Sequence, residues 1–126
     1  MPAPAVERIS VEEAARRLGV TGPAPAGPVP LLIDVREPGE FAQFRATGAA
    51  LVPLSVFQLR YTQLPHDRPL LLICASGQRS LAAGEFLTQR GYADVANVEG
   101  GSIAWVRAGL PTRSGSLAEG EGDLPA

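Results

Sequence analysis

The chain has 126 residues, 45% of them hydrophobic and 19% charged, with a formal net charge of −2. That length and composition suit one compact domain with a sizeable core and exclude a chain disordered throughout. The small negative charge gives no electrostatic reason to expect a nucleic-acid or acidic-membrane partner, and the eleven basic residues, all arginine, leave no lysine for a Schiff base.

The opening MPAPAVERIS lacks the basic start and apolar core of a signal peptide. No later apolar run approaches the ~20 residues of a membrane span, so the cytoplasm is the expected compartment. Ser10-VEEAARRLG predicts a short helix, with Ser10 and Glu13 at capping-box spacing and Gly19 as its stop. The proline- and glycine-rich residues 21–30 predict a loop. VPLLIDV, ending near Asp34, is a continuous apolar run and predicts a strand buried on both faces. EPGEFAQF predicts a short helix, AALVPL a short strand, and SVFQLRYTQL a helix capped by Ser55. LLLIC, closed by the chain's one cysteine, is the clearest strand, and Ser80 to Arg90, closed by Gly91, is the clearest helix. DVANV predicts a last strand, Gly100-Gly101 a tight turn, and SIAWVRAG a last helix with Trp105 in the core. The polar, glycine-rich residues 112–126 are expected to form a flexible tail after a single domain, 1–111.

Strands alternating with helices imply an α/β domain, a parallel sheet with helices on both faces. Ligands of such sheets bind beyond the carboxyl ends of the strands, which is where Asp34 and Cys74 fall. A lone cysteine excludes an internal disulfide and any mechanism with a second cysteine of the same chain, and it fits a reducing compartment. At the end of an apolar strand such a cysteine is usually a packing residue. Here Ala75, Ser76, Gly77 and Gln78 separate it from Arg79 and Ser80, where a helix starts. A tight loop of this kind can turn its N–H groups inward as an anion-binding nest, and the helix start adds further N–H groups and a positive dipole end. Gly77 permits a backbone angle that a β-carbon opposes. Together these features should lower the pKa of Cys74 and make its thiolate a nucleophile. His66 is the one histidine, so neither a histidine-rich metal site nor a cysteine–histidine dyad is expected.

CASGQRS resembles the active-site loop of single-domain rhodaneses, the sulfurtransferases. Ile33-DVREPGEF resembles the first signature of that family, Gly48-Ala49 the end of its second motif, and Val98-EGGSIAW its closing segment. Phe44-RATGA departs from the second motif, with Arg45 where the family often has histidine, and Ala75 stands where arginine often follows the nucleophile. The resemblance implies a rhodanese-like α/β fold with a parallel sheet of about five strands. It implies a sulfurtransferase in which Cys74 takes the outer sulfur of thiosulfate or a similar anionic donor as a persulfide and passes it to cyanide or a thiol. A protein acceptor is also possible in that chemistry, and no metal or organic cofactor is needed. Arg79 would bind the donor with help from Arg36; Ala75, Ser76, Gly77, Gln78 and Ser80 would line its site, and Asp34 would orient an arginine. The alternatives are a non-enzymatic sulfur-relay or protein-binding module, and a cysteine phosphatase or arsenate reductase. The last is disfavoured because similar loops in those enzymes are one residue longer.

Overall fold

Leu31, Ile33, Leu70 and Leu72 face one side of a sheet, and Leu32, Leu71 and Ile73 face the other. Successive side chains of a strand alternate, so each unbroken apolar run supplies two cores at once. The computed structural model describes residues 5–125; residues 1–4 of the expected domain and residue 126 of the expected tail lie outside the described residues. In chain order the strands are β1 (Glu7–Ile9), β2 (Leu31–Asp34), β3 (Arg45–Ala46), β4 (Ala50–Leu51), β5 (Leu70–Ile73), β6 (Val95–Val98) and β7 (Thr112–Arg113). The helices are α1 (Val11–Arg17), α2 (Pro38–Gln43), α3 (Phe57–Arg60), α4 (Gln78–Gln89) and α5 (Gly101–Arg107).

Five strands pair in parallel in the order β1-β6-β5-β2-β4. The expected architecture, a parallel sheet of about five strands covered by helices on both faces, is the one observed. Phe57 of α3 and Ala83 and Leu87 of α4 complete one core. Val11, Ala14 and Ala15 of α1, Phe41 of α2 and Trp105 of α5 complete the other. Among the described residues no helix is long and apolar enough to cross a membrane.

Several local details differ from expectation. β1 is an unpredicted edge strand of three residues, too short to show a period; it exists because Glu7 to Ile9 register against Ala96 to Val98. Ser10 caps α1 by accepting the Glu13 N–H at 3.0 Å. The return half of the capping box is absent, because the Glu13 carboxylate is held by the guanidinium groups of Arg16 and Arg17. Ser55 caps nothing. Its hydroxyl donates to Glu37 at 2.7 Å, and the expected helix breaks into a 3-10 turn, α3 and a second 3-10 turn.

The segment expected as a flexible tail is placed against the domain. β7 pairs antiparallel with β3, the Leu51 N–H donates to the Gly122 carbonyl at 2.7 Å, and Leu124 packs on the first core. Arg45 is the physical reason. Its side chain is 1% exposed, and a buried guanidinium must be paired. Nε donates to Glu121 at 2.6 Å and one terminal nitrogen to the Gly115 carbonyl at 2.9 Å. Arg45 therefore binds the chain's own C-terminal segment. Hydrogen bonds from Arg45 and from the Ala118 N–H hold the Glu121 carboxyl down at about 2.

Candidate active site

β5 ends at Ile73, and the chain turns through Cys74 to Gly77 into α4. The turn is possible because Gly77 adopts φ +102°, a left-handed angle that costs other residues about 1–2 kcal/mol. Gly77 is also the N-cap of α4, so the free N–H groups of the helix start face back toward the cysteine. Cys74 is 1% exposed and free. The Gly77 N–H lies 3.1 Å from its sulfur and the Ser80 hydroxyl 3.3 Å. Burial pushes the thiol up, but donation from the Ser80 hydroxyl and from the N–H groups of Ser80, Gly77 and Ser76 outweighs it. The thiol is left below its ordinary range.

The positions named from the sequence separate into two groups. Ser76 and Gly77 direct N–H groups at the sulfur, Ser80 is buried beside it, and Gln78 opens α4 with its side chain exposed. The Ala75 carbonyl points away, accepting the Ile103 N–H at 3.1 Å, just as the Cys74 carbonyl accepts the Ser102 N–H at 2.7 Å. The start of α5 thus holds the back of the loop. Arg79 is about one-third exposed at the helix start, and its guanidinium is stabilised by negative charge at Glu40, Cys74 and Asp34.

Arg36, expected to help bind a donor, is not available for it. Its side chain is 2% exposed, its Nε lies 3.1 Å from both Asp34 oxygens, and NH2 reaches Asp34 at 2.9 Å and the Phe44 carbonyl at 2.6 Å. Arg36 is a structural clasp between the end of β2 and the end of α2. Asp34, fully buried, is its partner; burial pushes the Asp34 carboxyl up against the opposing pull of Arg36.

Two site residues escaped the sequence reading. Asn97, on β6 and fully buried, donates from Nδ2 to the Gly77 carbonyl at 3.0 Å and to the Glu99 carboxylate, and its Oδ1 accepts from Ser80. It holds both the glycine turn and the hydroxyl that faces the sulfur. Its one legible signal is a polar residue inside the apolar DVANV strand. Glu40, on α2, grips Arg79 with both oxygens at 2.8 Å, and those bonds to Arg79 hold its own carboxyl down at about 2. A surface glutamate in a short helix carries no sequence signal of that contact.

A hydroxyl has one proton to give, and Ser80 has two acceptors, the sulfur and Asn97 Oδ1. When Cys74 is a thiol, Ser80 can give its proton to Asn97; when Cys74 ionises, the stronger acceptor is the sulfur. Ser80→Ala is therefore expected to raise the Cys74 pKa. Its alkylation by iodoacetamide near neutral pH should slow by about tenfold, with the pH profile displaced upward and the alkaline plateau unchanged. A profile that coincides with wild type would remove Ser80 from the thiolate's support.

A family model described as the rhodanese-like domain matches residues 10–108. A protein named sulfurtransferase from Allochromatium vinosum is 43% identical over 81 residues, covering 64% of this chain and 76% of the relative. Thiosulfate sulfurtransferase GlpE of Vibrio cholerae is 37% identical over 81 residues, again covering 64% and 76%. The crystal structure of a rhodanese-related protein from Thermoplasma volcanium superposes with a TM-score of 0.73 at 30% identity, covering 85% of this chain and 97% of that one.

Proposed function

Because the chain belongs to the rhodanese-like domain family, we propose that it is a sulfurtransferase that carries a sulfane sulfur as a persulfide on Cys74. One observation carries this reading: the N–H groups of Ser76, Gly77 and Ser80 and the Ser80 hydroxyl all converge on one buried sulfur and hold its thiol below the ordinary range. A packing cysteine has no use for four donors.

In the first half-reaction the Cys74 thiolate attacks the outer sulfur of thiosulfate or a similar donor. A bond forms between Sγ and that sulfur, the donor's S–S bond breaks, and sulfite leaves with the electron pair. The persulfide's terminal sulfur inherits the negative charge and the donors that held the thiolate. In the second half-reaction a nucleophile, cyanide in an assay or a thiolate in a cell, attacks the terminal sulfur and restores the Cys74 thiolate. The chain has one cysteine, so the accepting thiol comes from another molecule, a small thiol or a protein. Two half-reactions through a covalent intermediate give ping-pong kinetics. A working thiolate needs a reducing compartment, and we place the protein in the cytoplasm on that ground.

The test is intact-protein mass before and after thiosulfate. The wild type is expected to gain one sulfur, to lose it to cyanide, and to carry it on the peptide containing Cys74; Cys74→Ala should gain nothing. A wild type left unmodified by thiosulfate, by 3-mercaptopyruvate and by a small hydropersulfide sinks the reading.

A further inference from the structure

Arg79 is the one charged side chain between Cys74 and Ser80. A dianionic donor with oxygens to offer would take its two terminal nitrogens as a fork. Those nitrogens are already engaged: NH1 donates to one Glu40 oxygen and NH2 to the other, both at 2.8 Å. Glu40 is anchored without Arg79. One of its oxygens accepts the Glu37 N–H at 3.1 Å in the capping box of α2, and its carbonyl accepts from Arg36 at 3.4 Å. The carboxylate is thus built into the first turn of α2 and held on the two terminal nitrogens that an anionic donor would use.

The charges around the loop lead the same way. Arg36 is buried and matched by Asp34, and Arg79 is matched by Glu40. With Cys74 ionised, neither pair has a positive charge left over to offset the thiolate, whose own charge faces an arriving anion. A donor bearing two negative charges meets an arginine whose two terminal nitrogens already serve a carboxylate, and it approaches against the charges of that carboxylate and of the thiolate. A donor with little charge beside its transferable sulfur meets neither obstacle.

We infer that Glu40 is a specificity-determining residue: by holding the fork of Arg79 it disfavours small dianionic donors such as thiosulfate and favours hydropersulfides of low charge. This rests on the sulfurtransferase reading above. For such a donor, R–S–SH, the Cys74 thiolate attacks the outer sulfur and the Sγ–S bond forms. The donor's S–S bond breaks, R–S⁻ leaves with the electron pair, and the proton stays on the transferred sulfur. No oxidant or reductant is consumed.

The experiment compares steady-state kinetics of wild type, Glu40→Gln, Arg79→Gln and the double variant with two donors, thiosulfate and 2-hydroxyethyl persulfide, and cyanide as acceptor. Glutamine keeps an oxygen for the Glu37 N–H and removes the charge. An exposed ion pair is modest, so Glu40→Gln should lower KM for thiosulfate by about fivefold with kcat nearly unchanged. KM for 2-hydroxyethyl persulfide should not move, and the thiosulfate effect should vanish in the Arg79→Gln background. A KM for thiosulfate that is unchanged or raised in Glu40→Gln overturns the inference. So does an equal fall for both donors, or a fall that survives Arg79→Gln. Intact mass is recorded on the same samples. Failure of wild-type Cys74 to take sulfur from either donor overturns the sulfurtransferase reading itself, whereas a normal persulfide with an unmoved KM overturns only the role of Glu40.

Discussion

Gly101→Ala is expected to unfold at markedly lower urea than wild type and to lose most of the reactivity of Cys74. Gly101 sits at φ +60°, and a β-carbon there would lie within 2.6 Å of the Ala75 carbonyl carbon and oxygen, and closer still to the Cys74 oxygen. These are backbone atoms with no rotamer to change, so either the loop or the start of α5 must move. Moving them breaks the bonds from the Ser102 and Ile103 N–H groups to the Cys74 and Ala75 carbonyls. Left-handed strain, overpacking and two lost hydrogen bonds together should cost about 3–5 kcal/mol. The loop donors would no longer converge on the sulfur, and persulfide formation in the folded fraction should fall by more than about tenfold. Gly91→Ala is the control. Gly91 has φ +91° and nothing within 4 Å of its added β-carbon, so it carries the conformational strain without the collision. If Gly101→Ala matches Gly91→Ala in urea midpoint and alkylation rate, the glycine serves only its turn, and α5 does not hold the cysteine loop.

Arg36→Ala should be the most destabilising of the charge substitutions, at about 3–5 kcal/mol, because it leaves Asp34 fully buried without its counter-charge, holding only the backbone N–H of residue 36 at 2.9 Å. The Phe44 carbonyl would lose its donor at 2.6 Å as well. The variant should acquire a characteristic pH dependence. Burial already raises the Asp34 carboxyl, and without Arg36 the folded protein would bind a proton that the unfolded chain releases. A folded pKa above the unfolded one favours folding in acid, so stability should fall as pH rises from the ordinary carboxylate range toward neutrality. Urea unfolding at a series of pH values measures this. A donor-binding arginine predicts the opposite pattern, a raised KM with stability nearly unchanged. Observation of that pattern would return Arg36 to the donor site.

Much of the architecture is legible because it rests on local or repeating signals. The apolar runs around Leu31–Asp34 and Leu70–Ile73 predict buried parallel strands, and both occur. Ser10 and Gly91 mark helix ends because capping and left-handed turns are decided within a few residues. β1, β3 and β7 have no such signature. Each is two or three residues long and owes its existence to a partner distant in sequence, β6 for the first and one another for the others. The segment after Pro111 shows the same limit. Its composition suggests a free tail, yet Glu121 answers a buried Arg45 that lies 76 residues earlier in the chain.

The order of residues by itself determined the strand–loop–helix unit that presents Cys74, since the apolar run, the glycine turn and the helix start are contiguous and need only backbone geometry and local hydrogen bonds. It also determined that Cys74 is the one cysteine available to the sulfur carriage proposed above. Only the tertiary structure decided which residues brace the loop that holds that sulfur. Asn97 arrives from the neighbouring strand, Glu40 from a helix 39 residues before Arg79, and the start of α5 from behind the loop. It also turned Arg36 inward. Two arginines near two strand ends look alike as letters; one has a buried carboxylate within reach and the other an exposed one. That difference in desolvation assigns the first to holding the fold and leaves the second at the loop.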